Sequence, residues 1–220
     1  MFDLRALVKK LVTPLRQYLG RLTVIDRHLR GQGLEIGALQ DPMPLPKGAV
    51  ARYVDIVDDG ETLATVADSS QDFVAANHFF EHCEDPIGTL RNLLRVVRPG
   101  GVVYLSLPDK RLMFDRDRPS TTFEHVVRDH EQGPAVSRQQ HYEEVVRLGI
   151  KVEGETAIAE KVAELVQQDF RIHFHCWSQT DFLQFLCALQ ARAGFPRFDI
   201  AEFVANEREM VVVLRRSADG

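Results

Sequence analysis

A polar segment, residues 109–170, concentrates side chains that can move protons. It contains His125, Asp129, His130 and His141, and the spacing of four between His125 and Asp129 puts both on one face of a helix. A histidine or aspartate held beside a hydroxyl group can act as its general base, which is worth about 10²–10⁴ in rate. We therefore predict that His125, Asp129 and His141 are catalytic.

Arginines in the same segment can bind an anion. Arg111, Arg116 and Arg118 carry guanidinium groups, whose planar fork matches a phosphate or a carboxylate. We predict that Arg111, Arg118 and His130 contact the substrate. A segment of this length is too long for an ordinary connection, so we interpret residues 109–170 as a helical insertion or lid that recognises the substrate.

Histidine and aspartate are also metal ligands, but their spacing here fits no standard zinc pattern. We predict no metal site, and a site built from these His and Asp residues remains the alternative. Farther along, His173 and His175 would point to the same side of a strand. Packing around Trp177 is the alternative role for that pair.

A second set of candidates follows short apolar runs nearer the N-terminus. Gly37 ends the first run, where a glycine lets the backbone approach a ligand at the carboxyl edge of a parallel sheet. Asp55 ends the next, where a carboxylate can accept hydrogen bonds from both hydroxyls of a ribose; Asp58 and Asp59 are the alternatives. Asn77 and His78 end a third run and would face the same crevice.

The pattern around these residues is that of strands alternating with helices, which predicts βαβ units and a parallel sheet. Asp85 and Pro86 predict the start of a helix, which Pro99, Gly100 and Gly101 end. The predicted strands cover 34–37, 52–56, 73–80 and 101–107, with a terminal hairpin at 198–204 and 209–214. Helices are expected at 86–97, 122–130, 138–148, 156–168 and, capped by Thr180, up to about residue 193.

Composition excludes several classes of protein. The chain has 220 residues, 45% of them hydrophobic and 27% charged, which suits one globular domain, residues 1–220, and not a disordered chain. The sequence contains no run of 18 apolar residues, so it predicts no membrane-spanning helix. The three cysteines form no CxxC pair, so we expect a cytoplasmic protein without disulfides.

Charge divides the chain unequally. Residues 1–30 hold seven basic and two acidic side chains, a net of +5, whereas the rest carries −10 within a total of −5. An acidic body argues against a nucleic-acid partner. The basic segment predicts an amphipathic helix that packs on the domain, with peripheral contact to a membrane or binding to a partner as the alternative.

Taken together, the short motifs resemble the class I S-adenosylmethionine-dependent methyltransferases. The matching stretches are Leu34-Glu-Ile-Gly37, Tyr53-Val-Asp55, Asp72-Phe-Val with His78 and Glu81-His82, Asp85-Pro86, and Arg95-Val-Val-Arg-Pro-Gly-Gly101. The resemblance implies a Rossmann-like α/β sheet of seven strands in the order 3-2-1-4-5-7-6, with the last strand antiparallel and the helical insertion after strand 5. Leu39 stands where the family's usual second glycine falls, and the third strand has little room.

The resemblance also implies roles for residues of the first half. S-adenosylmethionine would be the cofactor: Glu35, Gly37 and Ala38 would let it approach, Asp55 would hold its ribose, and Asn77 and His78 would line its methionine portion. Asp68 is a weak candidate for the adenine contact, and Glu81-His82 more simply ties strand and helix together.

The insertion also resembles that of bacterial methyltransferases from surface-polysaccharide and sugar pathways. We therefore expect a methyltransferase with a small-molecule acceptor, most simply O-methylation of a sugar or glycan intermediate in polysaccharide biosynthesis. The rival from another class is a non-catalytic methyltransferase-fold partner or nucleoside-binding protein. A nicotinamide-dependent reductase is a weaker possibility, since the full GxGxxG loop is missing.

Overall fold

Six strands build one mixed sheet in the computed structural model, which describes residues 4–37, 42–54 and 60–218, with side chains from residue 13 onward. The strand order is β2-β1-β3-β4-β6-β5. Strands β1 to β4 pair in parallel, and β6 is antiparallel to both of its neighbours. The strands are β1 Gly31–Ile36, β2 Ala49–Val54, β3 Gln71–Asn77, β4 Val97–Pro108, β5 Phe198–Asn206 and β6 Glu209–Arg216.

The Rossmann-like α/β class is confirmed, whereas the expected count of seven strands is wrong. The observed order is the expected one with strand 3 removed, because no strand forms between β2 and β3 within the described part of that connection. Only 16 residues separate Val54 from Gln71. Since one parallel crossover alone needs about a dozen residues, an extra strand with two crossovers does not fit. The described residues there make turns, held by Arg95, whose Nη2 donates to Leu63 O at 2.9 Å.

The described residues form six α-helices: α1 Leu4–His28, α2 Pro86–Val96, α3 Phe123–Gln132, α4 Ala135–Glu144, α5 Glu155–Gln167 and α6 Gln179–Ala191. The predicted start of α2 is confirmed, since Asp85 Oδ1 accepts a hydrogen bond from Gly88 N at 2.9 Å. The predicted cap of α6 is wrong. Ser178, not Thr180, caps it, because Ser178 and Asp181 form a reciprocal capping box that Thr180 is too far along to make.

Helices α3 to α5 lie between β4 and α6, in the segment expected to hold the insertion. A π-helical turn, Val145–Ile150, continues α4. This region has its own apolar core, which α4, α5 and the extended stretch before Trp177 share; Tyr142, Val146, Ile158, Leu165 and Phe174 belong to it. The insertion is therefore held by its own packing as well as by the sheet.

The C-terminal half of α1 packs on the sheet. Val24 and Ile25 are buried in a cluster with Tyr104 of β4, which supports the packing interpretation of this basic segment. Toward its other end, Leu15, Tyr18 and Leu19 are exposed. Among the residues that the structure describes, no helix has the length and hydropathy needed to cross a membrane.

Gly33 of β1 lies so close to β3 that a side chain does not fit. A Cβ atom there would stand 2.5 Å from the backbone oxygen of Phe73. We expect Gly33→Ala to destabilise the fold by about 2–3 kcal/mol, because the neighbouring strand must move to admit the methyl group. Gly149→Ala is the control, since its Cβ would meet side chains and no backbone atom: the half-exposed ring of Phe114 at 3.2 Å and Val145 Cγ1 at 3.8 Å. Urea unfolding measures both; equal effects would contradict the prediction.

Candidate functional site

A cavity opens at the carboxyl ends of β1 and β3, which we call the sheet-edge cavity. Glu35, Gly37 and Asn77 line it from the sheet, while Arg21 and Ile25 of α1 cover it. The parallel strands bring these residues together, since their carboxyl ends meet at one edge. The structure thus gathers three of the residues predicted to bind the cofactor, and adds α1 as a wall that the sequence did not indicate.

Hydrogen bonds fix the polar groups of this cavity. Glu35 is buried, and its Oε1 accepts from Met43 N at 2.8 Å. Asn77 Oδ1 accepts from Ser106 Oγ at 2.8 Å, so its amide group is held in place by β4. Gly37 has a φ of +73°, a conformation that favours glycine, and its N–H donates to Val54 O at 3.1 Å. The last residue of β2 therefore lies directly beside Gly37.

Two of the predicted cofactor residues, Ala38 and Asp55, lie outside the described residues. Each directly follows a described position of this edge, Gly37 in one case and Val54 in the other. Their roles stay predictions. Asp68, the weak adenine candidate, is 71% exposed and pairs with Arg95 Nη1 at 2.5 Å.

His78 belongs to a buried charge network next to Asn77. Its Nε2 lies 2.8 Å from Glu209 Oε2, and its Nδ1 lies 3.4 Å from Glu81 Oε1. Glu209, fully buried, also accepts from Arg21 Nε at 2.7 Å and from Asn206 Nδ2 at 2.7 Å. The network joins β3, α1 and the terminal hairpin at one point.

The network shifts the pKa of both central groups. Burial alone would lower the pKa of His78, but hydrogen bonds and charge from Glu209 and Glu81 raise it from 6.5 to about 9. Burial alone would raise the pKa of Glu209, but hydrogen bonds from Arg21 and His78 lower it from 4.5 to about 2. At neutral pH the two groups therefore form an imidazolium–carboxylate pair.

This pair predicts a pH dependence of stability. The contribution of Glu209 is complete above pH 4.5 and is lost as pH falls toward about 2, while that of His78 is complete below pH 6.5 and is lost as pH rises through about 9. We expect the melting temperature of His78→Asn to approach that of the parent protein between pH 6.5 and 9.5. Parallel profiles over that interval would contradict the prediction. Solvent screening reduces the amplitude, because His78 is 36% exposed.

The three residues predicted to be catalytic do come together. His125 Nε2 lies 3.0 Å from Asp129 Oδ2 and 3.1 Å from His141 Nε2. His175 joins them, its ring centroid 4.9 Å from that of His141. Burial lowers the pKa of all three histidines, in His141 to about 4, with the charge of His125 adding to the shift there. We call His125, Asp129, His141 and His175 the histidine cluster.

A second cavity borders the histidine cluster. His125 and His141 line it, together with polar residues of the insertion that include Thr122, Gln140 and Glu144. Within the described residues, the lining of this cavity and that of the sheet-edge cavity have no residue in common. The candidate bases therefore border a separate pocket and not the sheet-edge cavity itself.

The residues predicted to bind the substrate contact protein groups. Arg118 is 2% exposed and donates to Asp115 Oδ1 at 2.7 Å and Glu144 Oε1 at 2.8 Å. Arg111 is exposed, and its Nε donates to Asp109 Oδ1 at 2.9 Å. These contacts give Arg118 a structural task that its residue type did not reveal.

His130 Nδ1 lies 2.8 Å from Asp85 Oδ2, and this contact links α3 to the start of α2. The expected His173–His175 pair has two different partners. His173 Nδ1 lies 2.6 Å from Asp115 Oδ2, whereas His175 enters the histidine cluster. Sequence reasoning missed Arg21 and Glu209 altogether, because they are 188 positions apart and neither belongs to a motif.

Residues 15–105 match the family described as "Methyltransferase domain". None of the curated proteins matches the chain. Among solved structures, a SAM-dependent methyltransferase from Aquifex aeolicus is 14% identical with a TM-score of 0.49, covering 98% of this chain and all of that one. One from Thermotoga maritima, described as a possible histamine N-methyltransferase, is 15% identical with a TM-score of 0.48, covering 97% of each chain. Neither likeness identifies what this chain acts on.

Proposed function

We propose that this chain, whose residues 15–105 match a methyltransferase domain, is an S-adenosylmethionine-dependent methyltransferase and that it methylates a hydroxyl group of a sugar or glycan intermediate. S-adenosylmethionine supplies the methyl group as an electrophilic sulfonium. The match carries the proposal for the reaction, and the residues of the insertion support the acceptor class.

The sheet-edge cavity fits such a cofactor in its chemistry. Gly37 has no side chain at the wall, so its backbone is open to a ligand. Glu35 and Asn77 offer a carboxylate and an amide, while Met43 and Ile25 offer apolar surface. A nucleoside joined to an amino acid has both kinds of surface. Asp55 is the residue we propose for the ribose hydroxyls, because a carboxylate accepts from both.

Methyl transfer from a sulfonium requires alignment more than covalent catalysis. The main task of the chain is to hold the acceptor oxygen in line with the methyl group and to exclude water. The insertion follows the carboxyl end of β4, and because β4 is parallel to β3 it ends at the same edge of the sheet. The cavity of the insertion has polar walls, which suit a ligand rich in hydroxyl groups. We propose that this region selects the acceptor.

Two roles are open to the histidine cluster. Neutral His125 or His141 can accept a proton from a hydroxyl group, the role predicted from the sequence, or the four side chains can bind a metal ion. The separation of the two cavities favours the second role.

The three cysteines are unpaired thiols. Together with the absence of CxxC pairs, this supports a cytoplasmic location.

Calorimetry with S-adenosylmethionine and its demethylated product tests the cofactor. Saturable binding of both is expected, and no binding at millimolar concentration by folded protein would overturn the proposal. The acceptor is tested by incubating protein, cofactor and a panel of nucleotide sugars, with mass spectrometry to detect the gain of one methyl group. Binding of the cofactor without methylation of any sugar would favour another acceptor or the non-catalytic partner.

A further inference from the structure

The histidine cluster collects four metal-ligating side chains from three separate elements. His125 and Asp129 come from α3, His141 from α4, and His175 from the extended stretch before Trp177. One ligand atom from each lies within 4.8 Å of the others. Tertiary packing of these three elements therefore brings four potential metal ligands to one point.

Three of the ligand atoms already face one another. His125 Nε2 and His141 Nε2 are 3.1 Å apart, and they lie 3.0 Å and 3.5 Å from the same oxygen of Asp129. Each Nε2 carries at most one hydrogen and the carboxylate oxygen carries none, so these three contacts cannot all be hydrogen bonds at once. A cation between them would use all three lone pairs.

His175 is prepared as the fourth ligand. It is fully buried, and its Nδ1 has no hydrogen-bond partner among the described residues. Its other nitrogen, Nε2, is 3.5 Å from Glu84 O, and its ring stacks on Trp177 at a centroid distance of 5.6 Å. A metal-bound histidine commonly turns its second nitrogen toward a backbone carbonyl, which leaves the first nitrogen free to bind.

Asp129 lacks a sufficient counter-charge. It is fully buried, and its close polar neighbours in the described structure are His125, His141 and the Nε of Arg128 at 3.6 Å. A buried carboxylate without a strong counter-charge is unfavourable. A divalent cation would remove that cost.

We propose that His125, Asp129, His141 and His175 bind one zinc ion, which fastens α3, α4 and the extended stretch before Trp177 to one another. Three imidazole nitrogens and one carboxylate oxygen are ligands that suit Zn²⁺, whereas Mg²⁺ and Ca²⁺ prefer oxygen. Four protein ligands fill a tetrahedral shell, which is the arrangement of structural zinc sites. The inference is independent of the acceptor, and it reassigns the predicted catalytic residues to positioning the insertion.

One existing contact must change when the ion binds. Arg128 Nη2 donates to His125 Nδ1 at 2.9 Å, and that nitrogen carries the proton once Nε2 binds a metal. The Arg128 side chain is 43% exposed, so it can turn into solvent. Replacing Arg128 with methionine therefore strengthens metal binding or leaves it unchanged, whereas a ligand variant weakens it.

Metal titration of the full chain tests the proposal. After removal of bound metal with a chelator, one equivalent of Co²⁺ should give the intense visible absorption of a tetrahedral site, and Zn²⁺ should displace it. Zn²⁺ should also raise the melting temperature. His175→Ala should weaken zinc binding roughly 100-fold or more, since even the loss of an outer-shell partner costs 10–100-fold. His130→Ala is the control, a histidine of α3 that lies outside the cluster, and should keep the affinity of the parent protein.

Three results would overturn the proposal. One is the absence of stoichiometric Co²⁺ or Zn²⁺ binding by folded parent protein, which needs no variant. Another is binding that His175→Ala and Asp129→Asn leave unchanged. A third is binding lost only in His82→Ala or His173→Ala, which would assign the ion to Glu81, His82 and His173, the other group of close ligand atoms. Failure of cofactor binding in calorimetry would leave the zinc inference intact.

Discussion

Replacing Glu209 with glutamine is expected to destabilise the protein by about 3 kcal/mol, because it removes the negative charge shared by Arg21 and His78. Breaking one partner of a buried ion pair costs about 3–5 kcal/mol, and the lower end applies here since Arg21 is 25% and His78 36% exposed. The amide would also turn an N–H group toward Arg21, His78 or Asn206, all of which now donate.

Thermal unfolding at pH 6 measures the effect. A loss of about 3 kcal/mol corresponds to a melting temperature lower by roughly 6–12 °C for a chain of this size. Glu207→Gln is the matched control in the same hairpin, since its carboxylate is partly exposed and lies 3.8 Å from Arg16. If both variants melt together with the parent protein, Glu209 is not the centre of a stabilising network.

Replacing Asp55 with alanine is expected to weaken binding of S-adenosylmethionine at least about 100-fold. Two hydrogen bonds to a charged acceptor are worth roughly 1.5–3 kcal/mol each, and every 1.4 kcal/mol is tenfold in affinity. The position follows β2 directly, where Val54 O already bonds to Gly37 N. A ligand that approaches Gly37 therefore lies beside the last residue of β2.

Asp68→Ala is the control for this prediction, because Asp68 is exposed and pairs with Arg95 away from the strand end. Calorimetry should show parent-like affinity for Asp68→Ala and little binding for Asp55→Ala. Unchanged affinity in a folded Asp55→Ala variant would contradict the assignment of the ribose contact to Asp55. The alternatives would then be Asp58 and Asp59, which alanine substitutions at those two positions would test.

Local signals in the sequence predicted local structure well. Asp85 and Pro86 begin α2, and the two apolar runs that flank residues 205–208 form the terminal hairpin, because capping and strand alternation act over a few residues. The absence of a third strand was harder to predict. A family resemblance implies seven strands, but a 16-residue connection has no room for the extra crossover.

Side-chain partners depend on tertiary contacts that spacing does not encode. His125 and Asp129 were predicted to meet because they share a helical face, and they do. His175 shares no element with them, so its entry into the cluster could not be predicted. Arg118 was expected to bind substrate, yet it is buried against Asp115, since residue type alone does not distinguish an anion site from an internal ion pair.

The ion pairs between α1 and the terminal hairpin also affect how the chain folds. Arg21 bonds to Glu209 across 188 positions, and His28 Nε2 lies 2.7 Å from Glu202 Oε2. During synthesis, α1 leaves the ribosome long before its acidic partners exist. The wall of the sheet-edge cavity is therefore completed only after the hairpin emerges, and contacts this distant in sequence slow folding. Until then the ion pairs that hold α1 to the hairpin cannot form.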